Sequence, residues 1–128
     1  QAADIAEIIK TGNLKAPAEA LGMGKMAKAT MKMVRDSIDS FVKDDLDLAK
    51  QVIDADDEVD GQFEQIRHML ADGLVNKSAT QEQVLDLLMI AKYYERIGDH
   101  ATNIAEWVVY SITGVHKSAE LTERKEQE

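Results

Sequence analysis

No cysteine occurs among the 128 residues. This excludes a disulfide framework and any thiolate zinc site, and it is compatible with a reducing compartment. One proline and six aromatic residues give strands little to build on, because strands favour aromatic and β-branched runs. No apolar run approaches the ~20 residues that a membrane-spanning helix needs, and no signal peptide opens the chain. It begins at Gln1 without a methionine, as a processed or truncated product does. Positive charge is in deficit: the net charge is −9, so no basic stripe is available to release counterions from nucleic-acid phosphates. An acidic surface of this kind suits cations or basic protein surfaces, and it is also common in soluble proteins generally.

Ala, Leu, Ile, Met, Glu, Lys and Gln dominate, which is a helix-forming vocabulary. With 45% apolar residues the chain is long enough for one core, and all-α structure is expected. Four helical segments can be read. A short one, Gln1 to Lys10, stops at Thr11–Asn13, where Gly12 is a natural left-handed cap. A linker, Leu14 to Pro17, leads into a second segment from about Pro17 to Lys43, with Gly22 and Gly24 weakening its start. Its positions Ala27, Met31, Val34, Ile38 and Phe41 alternate in steps of four and three, predicting a buried face. After the turn at Asp44 and Asp45, the third segment runs from Leu46 to Ala71. Its stripe is Ala49, Val52, Val59, Phe63, Ile66 and Leu70, and Asp72 and Gly73 are read as its stop. The fourth starts at Thr80, where Thr80 and Gln83 form a capping box, and continues to about Val115. Its stripe is Val84, Leu87, Ala91, Tyr94, Gly98, Ala101, Ala105, Val108 and Ile112. Three long helices with short connections predict an antiparallel three-helix bundle over 15–116, with a charged, frayed tail over 117–128.

The third stripe is interrupted once. Alternation from Val52 lands on Asp56 before it reaches Val59, and Asp60 follows one turn later. An unpaired buried carboxylate costs several kcal/mol, so Asp56 requires a partner, a proton or a metal. On the fourth helix Glu95, Asp99 and Glu106 fall within an arc of about 40° beside the apolar stripe, and Asn103 lies slightly further round. If the two helices pack, Asp56 and Asp60 face Glu95 and Asp99. Such oxygen ligands suit Mg²⁺, Mn²⁺, Ca²⁺ or iron. The competing reading is a solvated acidic face in which Arg96 pairs with one carboxylate.

A carboxylate-bridged metalloenzyme and a purely structural bundle are the functional alternatives. Dimetal bundles use Glu-x-x-His, whereas His68, His100 and His116 follow Gln65, Ile97 and Thr113 at that spacing. No phosphate-cradling G-x-x-x-x-G-K-[ST] and no nucleophile elbow occurs, so no catalytic residue and no enzymatic activity are expected.

The octamer Gln1–Ile8 echoes His100–Trp107, with four of eight positions identical. That reads the first segment, with its linker to residue 14, as the remnant of a preceding repeat. The run Tyr94–Glu106 resembles the signature helix of the PhoU family of bacterial phosphate-signalling regulators, and Asp54–Asp60 resembles its second characteristic region. The resemblance spans roughly Leu21 to Val115. It implies two tandem three-helix bundles in a complete member, each with an E/D-x-x-x-D pattern, here Asp56 to Asp60 and Glu95 to Asp99. It also implies a cytoplasmic regulator that restrains the phosphate-starvation response. Such a regulator works through the ATPase subunit of a phosphate ABC transporter and a sensor histidine kinase at the inner membrane face, and touches the membrane only through those partners. Some members bind metal clusters, often iron, along these carboxylates. A homo-oligomer, as a dimer, is expected.

Overall fold

The computed structural model describes residues 15–114. The expected segment Gln1–Lys10, its stop at Gly12 and the tail over 117–128 lie outside the described residues. Within them are four helices and no strand: α1 (Lys15–Ala20), α2 (Met23–Lys43), α3 (Leu46–Val75) and α4 (Gln81–Thr113). Each long helix packs against the other two, and α1 packs on α2. The short connections make successive helices antiparallel, so α2 and α4 run side by side in the same direction. No helix among the described residues is long and apolar enough to cross a membrane.

Caps set the helix ends. Asp45 accepts a hydrogen bond from the Leu48 N–H at 3.1 Å and starts α3 where the sequence placed it. Thr80 and Gln83 complete the expected capping box: the Thr80 hydroxyl accepts from the Gln83 N–H at 3.1 Å, and the Gln83 side chain accepts from the Thr80 N–H at 3.0 Å. α4 ends at Thr113, with Gly114 left-handed at φ 76°.

Three expectations need correction. The second segment is two helices, because Leu21 and Gly22 form a turn in which Gly22 has φ 79°. A side chain in that left-handed conformation costs about 1–2 kcal/mol, so glycine selects the break. Gly73 does not stop α3, which continues to Val75. The Gly73 carbonyl instead receives the Ser78 N–H at 2.9 Å, which folds the following turn back onto the helix.

The third correction concerns the buried face of α2. Met31, Ile38 and Phe41 are 50, 51 and 60% exposed, and Ala27 and Val34 are only half-buried. The face toward the core is Met23, Met26, Thr30, Met33, Ser37 and Ser40. Serine is admitted there because its hydroxyl bonds within the helix: Ser37 Oγ donates to the Val34 carbonyl at 2.8 Å and Ser40 Oγ to the Ser37 carbonyl at 2.7 Å. Small side chains on α2 and the small run Gly98, Ala101 and Ala105 on α4, all buried, suit a close approach of the two helices.

The α3 stripe is buried throughout: Ala49, Val52, Val59, Phe63, Ile66 and Leu70. On α4, Leu87, Ala91, Gly98, Ala101, Ala105 and Val108 are buried as expected, with Ile90 and Thr102 added, while Ile112 is exposed. Each fully buried large aliphatic side chain contributes about 1.5–3 kcal/mol. This apolar seam between α3 and α4 holds the acidic residues beside it in fixed register.

A candidate cation site between α3 and α4

Asp56 and Asp60 are one turn apart on α3, and Asp99 meets them from α4. Each of the three offers a carboxylate oxygen, and these oxygens all lie within 4.8 Å of one another. Gly98 lies beside the triad, next to Asp99 on α4. A Cβ built there would lie 3.6 Å from Met33 Sδ, 3.6 Å from Val59 Cγ1 and 3.8 Å from Asp56 Oδ1, so the glycine is walled by core on two sides and by the carboxylate on the third. Those are ordinary contact distances, and helical Gly costs about 1 kcal/mol relative to Ala. Gly98→Ala is therefore expected to stabilise the chain by roughly 0.5–1 kcal/mol, read as a higher urea midpoint. A loss of stability would show that the two helices need to come closer than the contacts indicate.

Asp56 is half-buried, and its Oδ1 is a buried oxygen without a hydrogen-bond partner. Desolvation first, then the charges of Asp60 and Asp99, push its pKa up to about 6, with Thr102 opposing the rise. Asp60 is also pushed up, by desolvation and then by Glu95 and Asp99, while Lys92 opposes the rise. Asp56 and Asp60, both half-buried, thus stand beside the exposed carboxylate of Asp99, whose charge disfavours their ionisation.

The remaining expected site residues are distributed around this triad. Glu95 is largely shielded and makes an ion pair with Lys92, whose ammonium also stands 5.1 Å from the centroid of the Phe63 ring. Glu106 is half-buried, about two turns further along α4 from Asp99. Asn103 faces elsewhere and lines an apolar groove with Ile38, Phe41, Ile104 and Trp107. Arg96, the candidate counter-ion, lines the outer face of α4 with Leu85, Met89 and Tyr93. Lys92 is the cation that sequence reading overlooked; its spacing of three before Glu95 on one helix was the available signal.

Hard oxygen donors from two helices, one of them buried and unbonded, make a donor set that fits Mg²⁺, Mn²⁺, Ca²⁺ or iron and offers nothing to a soft metal. Such a cation would give the three negative charges a shared partner.

The model of the PhoU domain family matches residues 23–108, which contain the whole triad. Among curated proteins, a phosphate-specific transport system accessory protein PhoU homolog of Clostridium acetobutylicum is 36% identical over 117 residues, 88% of this chain and 52% of that protein. A PhoU homolog of Thermotoga maritima is 36% identical over 89 residues, 70% of this chain and 38% of its own length. The phosphate-specific transport system accessory protein PhoU of Escherichia coli is 32% identical over 94 residues, 73% of this chain and 39% of its own. The chain therefore spans about half the length, or less, of the relatives it matches. No solved structure matches it. With the family model covering α2 to α4 almost end to end, the chain belongs to the PhoU domain family.

Proposed function

We propose that this chain is a bundle of a phosphate-transport accessory regulator that acts by binding proteins and carries a cation in the groove between α3 and α4. The single observation that supports it is the convergence of Asp56, Asp60 and Asp99, with a buried unbonded oxygen, inside the stretch that the family model matches. Asp56, Asp60 and Asp99 hold the cation. Glu95 reaches the same groove once released from Lys92, and Glu106 flanks it along α4, whereas Asn103 lies on the α2 side and takes no part. The bound ion neutralises the groove and fixes the spacing of α3 against α4, so the surface shown to partners depends on whether it is loaded.

The partners in this reading are the ATPase subunit of a phosphate ABC transporter and its sensor histidine kinase, met in the cytoplasm. Relatives bear the name of accessory proteins, which supports a regulator and not an enzyme. Residues 1–14 are read as the close of a preceding repeat and residues 15–116 as this bundle.

Co-precipitation of the purified chain with the ATPase subunit and with the cytoplasmic part of the kinase tests the partner reading. Capture of either, weakened about tenfold or more in Asp60→Lys, is the expected result. Capture of neither by the wild-type chain overturns it.

A further inference from the structure

We propose that the outer face of α4 is a docking groove for an acidic, apolar-anchored helical segment of a partner protein, and that Lys92 ties its strength to Glu95 of the cation site. The groove, of about 510 Å³, runs from Leu85 and Asp86 through Met89 to Lys92, Tyr93 and Arg96. These positions recur every three or four residues and so form one continuous helical face. It is not the face that packs the bundle. Leu85 is 65% exposed and Met89 53% exposed, whereas the core stripe of the same helix is buried. Apolar side chains gathered in an exposed groove mark an interaction site.

Charge selects the occupant. The chain carries a net charge of −9, yet this groove holds two cations, Lys92 and Arg96, against the one carboxylate of Asp86. Arg96 forms no ion pair among the described residues, so its guanidinium is open to an incoming carboxylate. Two cations are too few to hold a nucleic acid or an anionic membrane against the field of the whole chain. Asp86 and Arg96 mark opposite ends of the groove, about 15 Å apart along the helix. A bound helix is thereby oriented, with its carboxylates toward Arg96 and its apolar side chains over Leu85 and Met89.

The control through Lys92 rests on the cation reading given above. Lys92 is held in an ion pair by Glu95, and its ammonium stands 5.1 Å from the centroid of the Phe63 ring. Its charge is therefore engaged on the α3 side while its stem lines the groove. Glu95 is the neighbouring charge that acts most strongly on Asp60, which places its carboxylate at the edge of the cation site. A cation that draws Glu95 in removes the partner of Lys92. What remains is the contact with Phe63, a weak hold on a half-exposed ammonium. Lys92 then offers its charge to the groove beside Arg96, one turn further along the same helix. Loading strengthens docking of an acidic segment, and by linkage docking strengthens loading.

The test titrates the full 128-residue chain, in chelator, with a synthetic helical peptide that carries leucine along one face and glutamate at one end. Saturable binding is expected, with amide NMR shifts at Leu85, Met89, Tyr93 and Arg96. A peptide with lysine in place of the glutamates is expected to bind about tenfold more weakly, and Arg96→Glu to weaken the acidic peptide by about as much. Glu95→Gln, which frees Lys92 with no metal present, is expected to tighten binding about fivefold, and Glu95→Gln/Lys92→Met to lose that gain. Mg²⁺ added to the wild type reproduces it. Circular dichroism checks that each variant stays helical. No saturable binding, shifts confined to another face, or equal affinity for the acidic and basic peptides overturns the docking groove. Binding of phosphatidylserine vesicles in place of the peptide overturns it too and assigns the face to a membrane. An affinity indifferent to Glu95→Gln overturns the control through Lys92. A gain in Glu95→Gln beside a wild type that takes up no metal supports the groove and its control and removes the cation reading instead, so the two failures are told apart.

Discussion

Saturating Mn²⁺ or Fe²⁺ is expected to raise the melting temperature of this chain by roughly 10–20 °C at about a hundred times Kd, and Asp56→Asn/Asp99→Asn is expected to remove the rise. The size follows from linkage: a ligand that binds only the folded state at that excess adds about 2.7 kcal/mol, and each kcal/mol moves a domain of this size by about 4–8 °C. The site has two reasons to accept the ion. Its carboxylate oxygens lie within 4.8 Å of one another, so their mutual repulsion is present before any cation arrives and is relieved by one. Asp56 Oδ1 is already stripped of water and has no donor, so coordinating it requires little further desolvation. The same geometry explains the choice of double variant. Asparagine keeps the volume and removes two of three charges, from both helices at once, without opening a cavity in the seam. Metal content per chain after removal of excess ion is measured beside the melting curve. Stoichiometric metal in the wild type and none in the variant is the expected pair. A melting temperature indifferent to every divalent ion tried would recast the triad as structural and leave the function to the protein–protein surfaces.

The acidic groove was legible in the sequence because Asp56 interrupts an otherwise uniform stripe. On α3 and α4 the apolar stripe and the core coincide, so a carboxylate in step with Val52 and Val59 is placed against the neighbouring helix. α2 was less legible because it carries two candidate stripes. Hydropathy favours Met31, Ile38 and Phe41, but the bundle buries Met26, Thr30, Met33, Ser37 and Ser40. Serine and threonine look like surface residues on any polarity scale. Their hydroxyls become harmless when they bond to a carbonyl of their own helix, as those of Ser37 and Ser40 do, and their small size then becomes an advantage against a glycine- and alanine-lined partner. The turn at Gly22 had a signal, since glycine just before a helix tolerates the left-handed conformation, but so did Gly24, which stays helical. Which of two near-adjacent glycines bends the chain is decided by packing, here the burial of Ala18 and Met23 on either side of the turn. Asn103 shows the limit of reading by angle: further round α4 than Asp99, it falls into the α2 groove, a destination set by where α2 lies.

Without metal, the chain is expected to grow more stable on acidification from about pH 7 to pH 5, and Asp56→Asn is expected to exceed the wild type at pH 7 by a few degrees in melting temperature. The sign follows from the folded-state pKa of Asp56, raised from 3.8 to about 6 by burial and by Asp60 and Asp99. A carboxyl that holds its proton more tightly when folded contributes stability in full below its unfolded pKa. That contribution is lost as pH rises through about 6, because ionisation then costs the folded state more than the unfolded one. Asp60 is shifted in the same direction and adds to the trend. Glu64, held low by Arg67, acts oppositely, but it sits in solvent where screening leaves little of the effect. Asparagine at position 56 cannot ionise, so its advantage at pH 7 shrinks as the wild type takes up its proton, and the two melting temperatures draw together as pH falls toward the unfolded value of 3.8. Melting curves for both proteins at three pH values, in chelator, decide the matter. A wild type that loses stability below pH 7, or an Asp56→Asn variant that is the weaker protein at pH 7, would mean that Asp56 is satisfied in the fold by a donor. The same proton competes with the metal. A cation bound at pH 7.5 is expected to dissociate as pH falls through about 6, so the most costly carboxylate of the metal-free fold is also the one that makes loading depend on pH.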